Sequence, residues 1–354
     1  MNYIGSKLTL LPFLEHTFRQ IAEGDEKIFC DIFAGTGAVG RHFKGLGFQI
    51  IASDIQYYAY ALNKAYIEIN ETPDFAKLSA YYNGKIAKYR SLLNDSSQEI
   101  LAFINDLPGM SGFITKNYSP AGGRLYYTEE NAQKADAIRQ AIETWRVTGL
   151  ITESEYFYVL CSLLEAIDQV ANTASVYGAY LKKFKASANK PLRLKPLELK
   201  NHVQGCRVWN RDANDLIKEI ECDVLYLDPP YNHRQYGANY HVLETIAAYD
   251  DPQLKGITGM REYPKSSFCR QDAAHAAMGH LIREARAKHI LVSYNDEGVM
   301  SLDEIQDLLS LRGEPKLFQT NYSRFKADNA REYKRASTIE YVHYVRVVKA
   351  SSES

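Results

Sequence analysis

Asp228, Pro229, Pro230 and Tyr231 follow directly on the apolar run VLYL at 224–227, so a carboxylate and two prolines close what reads as a buried strand. Proline fixes φ and has no N–H to donate, so the turn is stiff and its carbonyls point outward without competing donors. Such a turn holds a carboxylate oxygen and a nearby carbonyl at fixed separation, which makes two acceptors for one –NH2 group. Tyr231 can lie flat against the ring that bears the amine. An exocyclic amine on adenine or cytosine is a poor nucleophile, because its lone pair is delocalised into the ring. Accepting both of its hydrogens favours a pyramidal nitrogen whose lone pair can attack an electrophilic carbon in line, a step that requires no metal. As a bare tetrapeptide the same letters could be an empty strand-ending turn. The strand before them and a glycine turn upstream favour the chemical reading.

That glycine turn, Gly35-x-Gly37-x-x-Gly40, meets the dinucleotide fingerprint, and Asp54 stands at about the offset expected of a ribose-binding acid. Taken alone it suggests a dehydrogenase, and the plain alternative is a tight turn with no ligand. Asp31, four residues before Gly35, changes the choice. Its carboxylate would repel a pyrophosphate but attract a positively charged amino group. A cofactor with a cationic amino acid part and no phosphate fits better, and S-adenosylmethionine is that cofactor. Its methyl sulfonium is an electrophile that the amine turn can use, and Asp54 would accept hydrogen bonds from its ribose hydroxyls. The dehydrogenase reading survives only if Asp31 faces away from the ligand. A base inside a duplex cannot reach such a pocket, so it has to flip out and stack on Tyr231.

These residues need a sheet edge to hold them. EKIFCDIFAGTG reads as a strand over 28–31 meeting the glycine turn, followed by a helix that Gly45 and Gly47 close. FQIIASDI is the next strand, ending at Asp54, and residues 56–70 have helical spacing. A β-α-β-α start implies an α/β protein with a parallel sheet covered on both faces. From 73 to about 202 no convincing strand appears. That stretch carries amphipathic helices instead: one over 131–147, starting near Thr128 and stopping at Gly149, and one behind the Thr152-x-x-Glu155 capping box. CRVW, CDVLYLD and HILVSYND then resume the parallel pattern, with a helix over 271–287 and a Ser301-x-x-Glu304 capping box among them. PKLFQTNY and ASTIEYVHYVRVVK alternate with period two, as an antiparallel pair at a sheet edge would.

The 354 residues carry a formal net charge of −1, so no global positive field advertises nucleic acid and any such partner has to be held by local clusters. The five cysteines, Cys30, Cys161, Cys206, Cys222 and Cys269, are scattered without metal-ligand spacing, which makes a reduced cytoplasmic protein without structural zinc the expectation. The first residues lack the layout of a signal peptide, and no run approaches the length of an apolar membrane span. Tyrosine is in excess, 26 against 14 Phe and 2 Trp, which fits base contacts and a polar-tipped core equally well.

Together, the glycine turn, the insertion and the Asp228-Pro-Pro-Tyr231 turn, in that order, resemble the bacterial DNA adenine N6-methyltransferases of the DNA adenine methylase family over nearly the whole chain. The resemblance implies a class I S-adenosylmethionine-dependent methyltransferase fold, Rossmann-like and mostly parallel with an antiparallel edge pair. It implies a catalytic domain of residues 1–72 and 203–354 and a mostly helical target-recognition domain inserted over 73–202. YIGSK at 3–7 resembles the family's N-terminal segment, so Tyr3 and Lys7 are expected at the cofactor, although Tyr3 and Ser6 replace the more frequent Trp and second Gly. Asp31, Phe33, Gly35 and Gly37 carry over to its methionine end, Asp54 to the ribose, and Asp212 to the segment beside the cofactor adenine, where the alternative role is a helix cap. Asp228 to Tyr231 carry over as the catalytic turn. Tyr236 or Tyr240 would wall the base pocket, the alternative being a plain loop before a helix, and Ser293, Tyr294 and Asn295 would support the pocket or else serve as a cap.

The substrate so implied is double-stranded DNA, and its phosphates call for clustered cations. Lys182, Lys183, Lys185, Lys190, Arg193, Lys195 and Lys200 put seven positive charges in 19 residues of the insertion. Lys116, Asn117, Arg124 and Tyr126 are candidates to reach base edges, and SRFKADNAREYKR at 323–335 is a third basic stretch. The resemblance also implies a cognate restriction endonuclease acting separately, as in a modification system. Alternatives are methylation of cytosine N4 or of ribosomal RNA, against which Asp228 and the long insertion argue, and a non-catalytic specificity subunit, against which the intact turn argues.

Overall fold

Seven strands make one sheet in the order β3-β2-β1-β4-β5-β7-β6: β1 is Ile28–Asp31, β2 Gln49–Ser53, β3 Arg207–Trp209, β4 Cys222–Leu227, β5 Ala287–Asn295, β6 Pro315–Ser323 and β7 Ser337–Arg346. This is a computed structural model, and it describes residues 7–90, 96–200, 202–232, 235–323 and 337–348. β3, β2, β1, β4 and β5 run parallel, and β7 and β6 complete the sheet antiparallel. The expected architecture, mostly parallel with an antiparallel pair at one edge, is the one observed. Strands buried on both faces read as apolar runs, which is why IFCD and CDVLYL carried the signal. β7 departs from its expected alternation: residues 340–345 are all buried. It is not the outermost strand but lies between β5 and β6, so both of its edges are paired, and the burial of consecutive residues means that both of its faces are covered there.

The chain places β2 and β3 on one side of β1 and β4 and β5 on the other. The strand order therefore reverses between β1 and β4, where open α/β sheets leave a crevice at the carboxyl ends. The β1–β4 register pairs Asp31 with Tyr226, so Asp228 lies just beyond the end of β1.

The described residues divide into two compact units. The sheet unit comprises the described residues up to Asn63, those of Val203–Tyr236 and those from Pro264 onward, and the second comprises the described residues of Lys64–His202 and Gly237–Tyr263. The second unit has no named strand among its described residues. Its long helices are Glu129–Val147, capped by Thr128, and Glu153–Gln169, whose Thr152 and Glu155 form the expected capping box. The helix expected over 56–70 is α-helical over Tyr57–Asn63 and then π-helical over Lys64–Glu68. In the second unit the excess tyrosine goes into the core: Tyr118, Tyr126, Tyr127, Tyr158, Tyr177 and Tyr240 are fully buried. The hydroxyls of Tyr118, Tyr126 and Tyr177 donate internally, as with Tyr126 to the Tyr177 carbonyl at 2.7 Å and Tyr177 to Asp168 at 2.9 Å. Among the described residues no helix is long and apolar enough to cross a membrane.

Candidate active site

The glycine turn is built by its neighbours. Gly35 and Gly37 both have positive φ, +50° and +77°, and the Gly37 N–H donates to the Ala34 carbonyl at 2.8 Å to close the turn before the helix Ala38–Gly45. Asp54, at the end of β2, accepts from the Gly35 N–H through one carboxylate oxygen and from the Gln56 N–H through the other, both at 2.9 Å. Asn63 is buried to 1% exposure and donates to the carbonyls of Gly35 and Ala59, each at 2.9 Å. Its Oδ1 lies 2.6 Å from where a Cβ on Gly37 would stand. Sequence reasoning missed Asn63; the signal was a polar side chain inside the helical pattern after β2. Gly37→Ala is therefore expected to destabilise the protein by about 1–2 kcal/mol from the left-handed backbone alone, with the Asn63 clash added. Urea unfolding checks this, and an unchanged midpoint would mean that the turn tolerates a side chain.

Asp31 ends β1 at 2% exposure, and its Oδ1 accepts from the Phe33 N–H at 3.3 Å. Burial pushes its carboxyl well above the usual range, and the charge of Asp228 pushes the same way. Burial likewise raises Asp54 to about 6, against the backbone N–H groups that stabilise its anion. Phe33 stands edge-on to Phe268, with ring centroids 5.0 Å apart.

Asp228 keeps 15% of its side chain exposed, and its Oδ1 lies 3.2 Å from the Lys7 ammonium. Burial raises its carboxyl to about 6, with Lys7 opposing and Glu340 adding to the rise. Lys7 also lies 3.4 Å from Glu340 Oε2, both side chains being 4% exposed. Burial alone would lower the Lys7 ammonium; Asp228 and then Glu340 outweigh it and hold the proton firmly. The ammonium is 5.5 Å from the Tyr231 ring centroid, and the Tyr231 ring is 5.4 Å from that of Tyr294. The Tyr231 carbonyl accepts from the Val299 N–H at 2.8 Å, which ties the turn to the segment after β5. Lys7, expected at the cofactor, is thus placed on Asp228. Glu340 was missed, although an acid inside a strand covered on both faces is an expensive residue to bury.

Other expected site residues are distributed as follows. Asp212 is exposed and caps the helix Ala213–Leu216, accepting from the Asn214 N–H at 2.8 Å. The Trp209 carbonyl accepts from Ser53 at 3.1 Å, and Asn210 donates to the Asp54 carbonyl at 2.8 Å, so Asp212 follows a loop fastened to the end of β2. Ser293, Tyr294 and Asn295 end β5 and are buried; Tyr294 spends its hydroxyl on the Met300 N–H at 3.2 Å. Tyr236 is half-buried, whereas Tyr240 is fully buried in the second unit. Tyr3 and most of the basic stretch 323–335 lie outside the described residues. Among the described residues no group of three or more His, Cys, Asp or Glu side chains is arranged to hold a metal ion.

In the second unit the basic segment is an extended strap with its cations outward. Leu192, Leu194 and Leu197 are buried while Lys190, Arg193, Lys195 and Lys200 are exposed. Two asparagine side chains pair with its backbone as a neighbouring strand would. Asn131 donates to the Lys190 carbonyl at 2.9 Å and accepts from the Leu192 N–H at 2.7 Å. Asn105 donates to the Leu194 carbonyl at 3.0 Å and accepts from its N–H at 2.8 Å. Lys182 and Lys183 are exposed, but Lys185 is held by the Thr173 carbonyl at 2.7 Å. Lys116 is exposed. Arg124 is committed to the carbonyls of Ile257 at 2.9 Å, Asn117 at 3.0 Å and Gly256 at 3.3 Å. It braces the turn in which Lys255 pairs with Met260. Tyr126, expected at base edges, is fully buried, because its ring packs against Tyr118 and His241.

The chain is similar to known proteins along almost its whole length. It is 45% identical to the type II methyltransferase M.NlaIII of Neisseria lactamica, covering 97% of this chain and 98% of that protein. It is 38% identical to the type II methyltransferase M.FokI of Planomicrobium okeanokoites over 98% of this chain, which spans about half of that longer protein, 52%. It is 34% identical to the type II methyltransferase M.CviAII of Paramecium bursaria Chlorella virus 1, over 92% of this chain and 93% of that protein. The family model of D12 class N6 adenine-specific DNA methyltransferases matches residues 3–308. With the switch-point carboxylates and the Asp-Pro-Pro-Tyr turn in place on the expected sheet, the chain belongs to the D12 class of N6 adenine-specific DNA methyltransferases.

Proposed function

We propose that this enzyme takes its methyl group from S-adenosylmethionine held at the carboxyl edge of the sheet and delivers it to the N6 of an adenine flipped out of a short double-stranded site. The observation that carries the reading is the pair of carboxylates, the buried Asp31 and the partly exposed Asp228, at the ends of adjacent strands beside a glycine turn. Asp31, Asp54, Asp228 and Glu340 are set against Lys7, so the pocket favours an added cation, which suits an amino acid ammonium and a sulfonium.

When bound, S-adenosylmethionine supplies a methyl carbon activated by its sulfonium. Asp31 would hold its ammonium, with Gly35 and Gly37 letting the backbone approach closely and Phe33 covering the methionine end. Asp54 would hold the ribose, and Asp212 would lie beside the adenine. Tyr3, outside the described residues, would also touch the cofactor. Lys7 occupies Asp228 Oδ1, which leaves the other carboxylate oxygen and the Pro229 carbonyl for the two N6 hydrogens. Tyr231 would stack on the flipped base. That methyl carbon would pass from sulfur to the N6 lone pair, and the surplus N6 proton would leave by way of Asp228.

The residues of 73–202 would form the DNA-recognition domain, its strap cations Lys182, Lys183 and Arg193, with Lys116, meeting phosphates. Lys185 and Arg124, both spent on backbone carbonyls, would support that surface from within. The relatives' names describe type II methyltransferases and modification methylases. That supports a role as the modifying half of a restriction-modification system, with a separate endonuclease as partner, in the cytoplasm where the DNA lies. Expression in a host lacking adenine methylation, followed by mapping of modified bases, tests the reading. N6-methyladenine at one recurrent short sequence is expected. Its absence would overturn the proposal, and methylcytosine in its place would select the cytosine N4 alternative.

A further inference from the structure

We infer that Glu340 is a positioning residue for the transfer, acting through Lys7 to keep the ammonium shared and the Asp228 carboxylate free to accept the adenine amine. Glu340 is on β7, outside residues 3–308 that the family model matches. The inference rests on the reading of Asp228 as the amine acceptor.

The geometry is a three-member chain. The Lys7 ammonium is 3.2 Å from Asp228 Oδ1 and 3.4 Å from Glu340 Oε2. A lysine paired with Asp228 alone would draw in and neutralise the oxygens on which the amine depends. A second anion on its other side splits that attraction, so the ammonium fixes the Asp228 rotamer without quenching it. A buried acid would not remain ionised here without such a partner, and β7 brings Glu340 to Lys7 because it is the inner strand against β5, paired at Asn295. The other groups facing the cluster are Asp31 from β1, the Tyr226 hydroxyl from β4, and Asn295 and Asp296 from the end of β5. Of these, Asp31 and Asp296 are acids and none is a cation, so Lys7 is the cation on which the balance of the cluster turns.

Glu340→Gln in the full chain tests the inference, with transfer measured on a duplex carrying the modified site. The expected result is a kcat lower by about ten- to a hundredfold, with KM for S-adenosylmethionine and for DNA near the parent values. The acid limb of kcat should move to lower pH, because one of the charges that raise the Asp228 carboxyl is gone. Glu340→Asp, which keeps the charge, should recover part of the rate with the limb near its parent position. A parental kcat with an unmoved limb in Glu340→Gln would overturn the inference. So would a lower kcat with an unmoved limb, which marks a structural role. If Glu340→Gln does not fold, Lys7→Met serves: loss of rate with unchanged cofactor affinity supports the inference. Cofactor binding weakened by about tenfold or more with the rate at saturation retained would assign Lys7 to the cofactor and overturn it. Asp228→Asn is run in parallel, because an active Asp228→Asn would show that the acceptor reading itself has failed.

Discussion

Asp228→Asn should lower the rate of methyl transfer by about 10³-fold, the scale of losing one preorganised electrostatic contact to the reacting atoms, while the protein stays folded and binds DNA. The substitution keeps the shape of the side chain and removes its charge. Asn offers one acceptor oxygen where the carboxylate has two, and the amide oxygen is drawn to Lys7, which then answers to Glu340 alone. No ionised oxygen would remain to accept an N6 hydrogen or to take the surplus proton. Burial of a carboxyl near pKa 6 at this position also means that the parent loses rate as pH falls through about 6. Single-turnover transfer with DNA binding measured separately distinguishes a chemical defect from a docking defect. A variant that still methylates at the parental rate would show that another group accepts the amine.

Asp31→Asn should weaken binding of S-adenosylmethionine by roughly 10- to 150-fold, the value of a buried hydrogen bond to a charged group, while making the cofactor-free protein more stable at neutral pH. The sign follows from burial. The Asp31 carboxyl titrates above its ordinary range in the folded protein, chiefly because it is desolvated and secondly because Asp228 is near. An acid with a raised folded pKa favours folding while it is protonated, below about pH 4, and that contribution is lost as pH rises through the folded value. Asn carries no charge to lose. The variant's thermal midpoint should therefore match the parent's in acid and exceed it at neutral pH, with the gap closing when the parent is saturated with cofactor. Calorimetric titration and pH-resolved thermal melts measure both halves. A variant that binds cofactor as the parent does would remove Asp31 from the site.

Much of the site was legible because its residues are neighbours in sequence. Asp228 to Tyr231 and Asp31 to Gly37 are short motifs whose chemistry follows from residue type, and apolar runs before each named the strands that carry them. The capping boxes at Thr152 and Ser301 were legible for the same reason, since a cap is a contact within four residues. Lys7 was seen but expected at the cofactor, and Tyr126 was seen as a base reader. The first pairs with a residue 221 positions away at Asp228, and the second is enclosed by Tyr177 and His241. Neither environment has a local signature.

The sequence by itself determined the class of chemistry, the alternation of strands and helices, and which loops end at the reactive edge, because period, proline, glycine and charge act over a few residues. Only the tertiary structure decided how the charges are shared. Asn63 under the glycine turn and Glu340 behind Lys7 come from segments that meet only when the sheet closes. Desolvation, which raises Asp31, Asp54 and Asp228, is a property of the packed crevice and of no single residue in it.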